Sequence, residues 1–121
     1  MTCKMIILSP RKEGLTHEEC IEYLEQEHVS LVEELPGLKR FTTSIPFDPE
    51  RIGYPLDPDG TRFDVMAKLQ FESLDDLQAA FDSEPGQAVL RDAQNFVDVD
   101  GGVMIAIDDE TLRHQTIPAD L

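Results

Sequence analysis

Apolar positions along this chain alternate between two periods. Cys3 to Ser9 is a short apolar run stopped by Pro10, and reads as a strand. Arg11 to Leu15 contains Gly14 and predicts a turn. Thr16 stands where an N-cap belongs, and Glu19, three positions on, completes a capping box. Glu18 and Glu19 also suit the positive end of a helix dipole. Ile21, Leu24, Leu31, Val32 and Leu35 follow at steps of three, seven, one and three, which is one face of a helix. Pro36-Gly37 ends it. Leu38 to Ile45, rich in Thr and carrying Phe41, predicts a second strand. Pro46 to Thr61 holds four Pro, three Asp and two Gly and predicts a long loop, a place for a lid over a pocket.

Phe63 to Phe71 gives the clearest alternation. Phe63, Val65, Ala67, Leu69 and Phe71 take one face; Asp64, Met66, Lys68 and Gln70 take the other. Ser73 caps a helix over Leu74 to Phe81, with Asp75 and Asp76 in its first turn. Ser83-Glu84-Pro85-Gly86 breaks that helix, and Gln87 to Val97 resumes it with Val89, Ala93 and Phe96 inward. After Gly101-Gly102, Val103 to Ile107 predicts a fourth strand. The order β-α-β-β-α-β defines an α+β, ferredoxin-like sheet with two helices on one face. Residues 1–107 form this domain, and residues 108–121 read as a polar C-terminal tail. The uncovered sheet face, with Met66 and apolar residues of the first and last strands, calls for a second copy packed sheet to sheet, a homodimer.

Charge narrows the partners. Ten Lys and Arg stand against 25 Asp and Glu, a net charge of −15. Such a chain is repelled by nucleic acid and by anionic membrane surfaces. The acidic residues are dispersed, as on a solvated surface, and their excess over four Lys and six Arg suits a salt-rich, halophilic cytoplasm. At 121 residues one domain is expected. No apolar run approaches the roughly 20 residues that span a bilayer, and the N-terminal run reads as a strand rather than a signal peptide. Cys3 and Cys20 form no CxxC or metal spacing, so both read as buried thiols in a reducing, cytoplasmic compartment.

His28 is the leading candidate for chemistry. It lies four after Leu24 and three before Leu31, on the inward face of the first helix. A desolvated, neutral imidazole there can take a proton from a substrate and return it without a metal; a core His satisfied by neighbours is the alternative. Asp92, three after Val89 and four before Phe96, flanks the inward face of the second helix. It is the candidate partner that fixes the His28 tautomer. Leu24 and Phe96 are expected pocket walls. Tyr23, five before His28 and so well apart around a regular helix, is a candidate for the rim. Thr42 on the second strand and Tyr54 in the long loop are candidate substrate contacts. Lys68 reads as an interface or rim charge. No HExxH, GxGxxG, GxSxG or Cys/His cluster occurs, so no metal and no cofactor are expected.

THEECIEYLEQEHVSLVEELPGLKRF, from Thr16 to Phe41, resembles the EthD family of dimeric α+β barrel proteins. The matching pieces are Leu15-Thr16 before an acidic pair, Tyr23, His28, and Leu35-Pro36-Gly37-Leu38. Phe63-Asp64 opening the third strand and Ser83-Glu84-Pro85-Gly86 followed by Asp92, Phe96, Val97 and Asp98 agree with it. Leu24 stands where the family often has Trp, and Val29-Ser30 where it often has Ala-Pro. The resemblance implies a ferredoxin-like subunit paired into a barrel, with the family's His at position 28. It implies a cofactor-independent enzyme acting on a small apolar cyclic or aromatic metabolite: an oxygenase-type oxidoreductase, a decarboxylase or an isomerase. The alternative is a non-catalytic small-molecule binding or stress protein on the same barrel; a haem-handling protein through His28 ranks after both.

Overall fold

A computed structural model describes residues 2–46 and 63–108. Tyr54, most of the expected loop and the tail beyond Asp108 lie outside the described residues. Elements follow in the order β1 (Cys3–Ser9), α1 (His17–Tyr23), a π-helical turn (Leu24–His28), α2 (Val29–Glu33), β2 (Arg40–Ser44), β3 (Val65–Phe71), α3 (Leu74–Asp82), α4 (Glu84–Ala93) and β4 (Val103–Asp108). The strands pair antiparallel in the order β2-β3-β1-β4. This is the ferredoxin-like α+β fold that the sequence predicts.

Register decides which residues meet the helices. Cys3 faces Phe71, and Met5 faces Leu69, across β1 and β3. These four side chains are buried against Val32, Leu35, Leu77, Ala80 and Val89 of the helical layer. A second cluster, Cys20, Leu24, Val65, Phe96 and Val97, lies beside it. Burying a side chain the size of Leu or Phe contributes about 2 kcal/mol, so the functional candidates between these clusters sit on a rigid frame.

Local chemistry sets the helix ends. Thr16 Oγ1 accepts from the Glu19 N–H at 3.1 Å, and Glu19 Oε1 accepts from the Thr16 N–H at 2.9 Å, the predicted capping box. Pro36 and Gly37 form the turn after the helix: Gly37 has φ +77°, which Gly adopts without strain, and the Leu38 N–H reaches the Leu35 carbonyl at 3.4 Å. Ser83 both ends α3 and caps α4, accepting from the Gly86 N–H at 3.2 Å. Helix α4 therefore begins at Glu84, earlier than predicted, because Pro85 fits the first turn, where no backbone donor is needed. It ends at Ala93, with Phe96 and Val97 in the turns beyond. Gly86 lets the two helices meet: a Cβ there would overlap the backbone of Ala80 and Phe81.

The open sheet face is divided. Lys4, Ile6 and Leu8 face Ile107, Ile105 and Val103 of β4, and the three β4 residues are each more than a third exposed. Toward β2 the same face turns polar: Lys4, Arg40, Thr42, Lys68 and Gln70 line a shallow recess. Asp64 departs from the predicted alternation. It is only 3 % exposed, not displayed on the open face. It precedes β3, and its carboxylate turns to the β1–α1 connection, where it accepts from the Arg11 N–H at 2.7 Å.

Candidate functional site

The site begins with a widened helical turn. The Val29 N–H donates to the Leu24 carbonyl, five residues back, where an α-helix would use the residue four back. In a regular helix Tyr23 and His28 would lie roughly 140° apart. The sequence-based expectation that they stand well apart fails here, because the extra residue in the π turn brings positions five apart onto one side.

Both meet the same carboxylate. His28 Nδ1 lies 2.8 Å from Asp92 Oδ2, and the Tyr23 hydroxyl donates to Asp92 Oδ1 at 2.7 Å. The Asn95 amide donates to Asp92 Oδ1 at 3.1 Å and to the Tyr23 oxygen at 3.2 Å. Phe96 supports both rings. Its centroid is 5.1 Å from Tyr23, stacked, and 4.7 Å from His28, tilted. Sequence reasoning missed Asn95, although its place three after Asp92, near the end of the helix, is a position from which an amide reaches back.

The electrostatics favour an ionised Asp92. Burial pushes its carboxyl up, but hydrogen bonds from Tyr23, His28 and Asn95 outweigh that and hold it below the ordinary value. The same contact, followed by burial, pushes the Tyr23 phenol up, so the phenol stays protonated and donates. An ionised carboxylate only accepts. His28 therefore carries its proton on Nδ1 when neutral, which leaves Nε2 as a lone-pair acceptor.

His28 is 8 % exposed and forms part of the wall of a cavity of about 150 Å³ between sheet and helices. Leu24, Val32, Phe41, Val89 and Phe96 are among its apolar walls, and Ser9 and His28 are the lining residues with polar side chains. An apolar cavity of about this volume accommodates a benzene-sized molecule. The structure thus brings together His28, Asp92, Tyr23, Leu24 and Phe96. Leu24 and Phe96 line the cavity; Tyr23 and Asp92 stand behind His28 rather than in the lining. Thr42 is separated from them: it lies on the open sheet face, in the polar recess. That corrects its expected place in the pocket, because strand alternation turns residue 42 away from the helices while Phe41 faces the cavity.

Cys20 offers no nucleophile. Burial, with Asp64 adding to it and Arg11 opposing, pushes its thiol up to about 11, and Sγ donates to the Phe96 carbonyl at 3.4 Å. Among the described residues no group of three His, Cys, Asp or Glu is placed to hold a metal ion, and no helix is long and apolar enough to cross a membrane.

The ferredoxin-like α+β fold gives the class to which this chain is similar. Residues 12–100 match the EthD domain family, and the chain belongs to it. A relative from Rhodococcus erythropolis, an uncharacterised 11.0 kDa protein from the thcB-thcC intergenic region, is 35 % identical over 92 residues, covering 75 % of this chain and 81 % of its own. An EthD family protein from Bacillus halodurans has a similar structure, with TM-score 0.72 at 21 % identity, covering 90 % of this chain and 99 % of that one. A hydroxynitrile lyase from Passiflora edulis shares the fold with TM-score 0.70 at 18 % identity, covering 93 % and 97 %. A dimeric ferredoxin-like protein from Thermobifida fusca does so with TM-score 0.64 at 16 % identity, covering 88 % and 90 %.

Proposed function

We propose that this EthD-domain protein is a cofactor-independent enzyme that removes a proton from a small, largely apolar cyclic or aromatic metabolite. The observation that carries the reading is the place of His28: it stands in the wall of a largely apolar cavity, with Nδ1 committed to Asp92. In the proposed step a substrate C–H or O–H bond breaks and its electron pair stays on the substrate. The proton goes to Nε2, and the imidazolium is stabilised by the Asp92 charge. Proton removal of this kind opens isomerisation, cyanohydrin cleavage and oxygenation of an activated ring by dioxygen. Asp92 touches His28, not the cavity, and is a positioning residue. Lyase activity in a neighbour of the same fold supports an enzymatic use of such a cavity.

The working form in this reading is a homodimer. Support comes from the half-exposed Val103, Ile105 and Ile107 on the open sheet face and from dimeric neighbours of the same fold. Covering that stripe with a second copy removes it from water.

Solvent exchange tests the chemistry without knowledge of the natural substrate. The protein is incubated in D₂O with cyclohexanone-sized ketones, substituted phenols and the cyanohydrin of benzaldehyde, and deuterium uptake or cleavage is followed by NMR. At least one probe is expected to react, with loss of about a hundredfold or more in His28→Gln while the same probe still raises the melting temperature. Binding without exchange or cleavage by any probe, unchanged in His28→Gln, supports the non-catalytic binding protein instead.

A further inference from the structure

We propose that Tyr23 is a positioning residue for His28, acting through Asp92, and that the π turn Leu24–His28 provides the register that lets it act. The role in chemistry rests on the reading above; the positioning itself does not. Residues five apart reach the two oxygens of one carboxylate. Tyr23, with Asn95, takes Oδ1, which leaves Oδ2 for the Nδ1–H of His28. A carboxylate so oriented selects one imidazole tautomer and one ring plane, and Phe96 fixes the planes of both rings from below. Two consequences follow. Tyr23 serves the site from outside the cavity lining, so its hydroxyl matters where its ring alone would suffice for packing. Leu24 and His28 are buried at the two ends of the turn while Glu25, Gln26 and Glu27 are exposed, so the extra residue is accommodated on the solvent side without disturbing either buried end.

The test reads the tautomer of His28 in the ligand-free protein by ¹⁵N NMR of the imidazole. Wild type is expected to hold the Nδ1–H form. Tyr23→Phe keeps the ring on Phe96 and removes only the donor. It is expected to lower the ratio of Nδ1–H to Nε2–H by about tenfold, the scale of losing part of a hydrogen bond to a charged group. Deleting Gln26 closes the π turn to an α turn, in which residues four apart share a face. It is expected to leave the ratio within about twofold of wild type in a protein that melts cooperatively. A ratio unchanged in Tyr23→Phe, or lost in the folded Gln26 deletion, overturns the proposal. Absence of exchange chemistry with every probe would overturn the enzymatic reading and leave this ratio as predicted.

Discussion

Two His–Asp pairs occur among the described residues, and they are built alike at the atomic level. His28 Nδ1 lies 2.8 Å from Asp92, and His17 Nδ1 lies 2.7 Å from Asp64. Their surroundings differ. Asp64 has a side chain 4 % exposed and also takes the Arg11 N–H and the Arg11 guanidinium, while the His17 side chain is 40 % exposed. That arrangement ties the β1–α1 connection and the start of α1 to the entry of β3, and a cation compensates the buried charge. Among the described residues no Arg or Lys pairs with Asp92; its donors there are the uncharged Tyr23 and Asn95 and the ring of His28. His28 lines the cavity between sheet and helices, and His17 is not among the residues of that lining. A short His–Asp distance alone therefore says little about chemistry. What the imidazole's other side meets separates a staple from a candidate base.

The comparison breaks most visibly in stability. Asp64→Ala removes the shared acceptor of the Arg11 N–H, the Arg11 guanidinium and the His17 ring and frees two elements, and we expect a loss of about 3 kcal/mol in urea unfolding. Asp92→Asn keeps shape and part of the bonding, and about 1 kcal/mol is expected. Equal losses would show that both pairs are staples. The next effect is chemical. His17→Gln should leave proton exchange of any reacting probe within about twofold, while His28→Gln removes about a hundredfold. A parallel loss in both would place the chemistry elsewhere.

Acid reads both pairs together. The Asp64 carboxyl is pushed up by burial, but His17 and Arg11 more than offset this and hold it below the usual range; Asp92 is likewise depressed. A depressed folded-state value contributes stability that is complete above the unfolded carboxylate range and lost as pH falls through the folded value. Urea midpoints should hold steady down to about pH 4 and then drop. Asp64→Asn and Asp92→Asn should each flatten that drop; a limb as steep in both variants as in wild type would assign it to other carboxylates.

Much of this architecture was legible in the sequence because its signals are local. The Thr16–Glu19 box, the Pro36-Gly37 stop and the alternation of Val65 to Phe71 each follow from residues within a few positions. His28 and Asp92 were legible as inward positions on separate helices. The π turn was not: Leu24-Glu25-Gln26-Glu27-His28 is good α-helical sequence, and the register shift appears only once Asp92 arrives from 64 residues away. Tyr23 was misplaced for that reason. Asp64 was misplaced because alternation assumes a strand, and the strand begins one residue later. Thr42 fell on the wrong side because hydroxyls on a strand mark no face by themselves.

The smallest expected effect separates the surface from both pairs. A net charge of −15 on 121 residues repels itself, and molar salt shortens the Debye length to about 3 Å. If the acidic excess is an adaptation to a salt-rich cytoplasm, raising KCl from low to molar concentration should lift the melting temperature by several degrees, roughly 1 kcal/mol for a domain of this size. The gain should be the same in wild type and Asp92→Asn, because that carboxylate, at 15 % side-chain exposure, is shielded from mobile ions. No gain in wild type would remove the adaptation. A gain confined to wild type would mean that salt acts on the Asp92 cluster itself, and the partition between a self-repelling surface and a shielded site would fail.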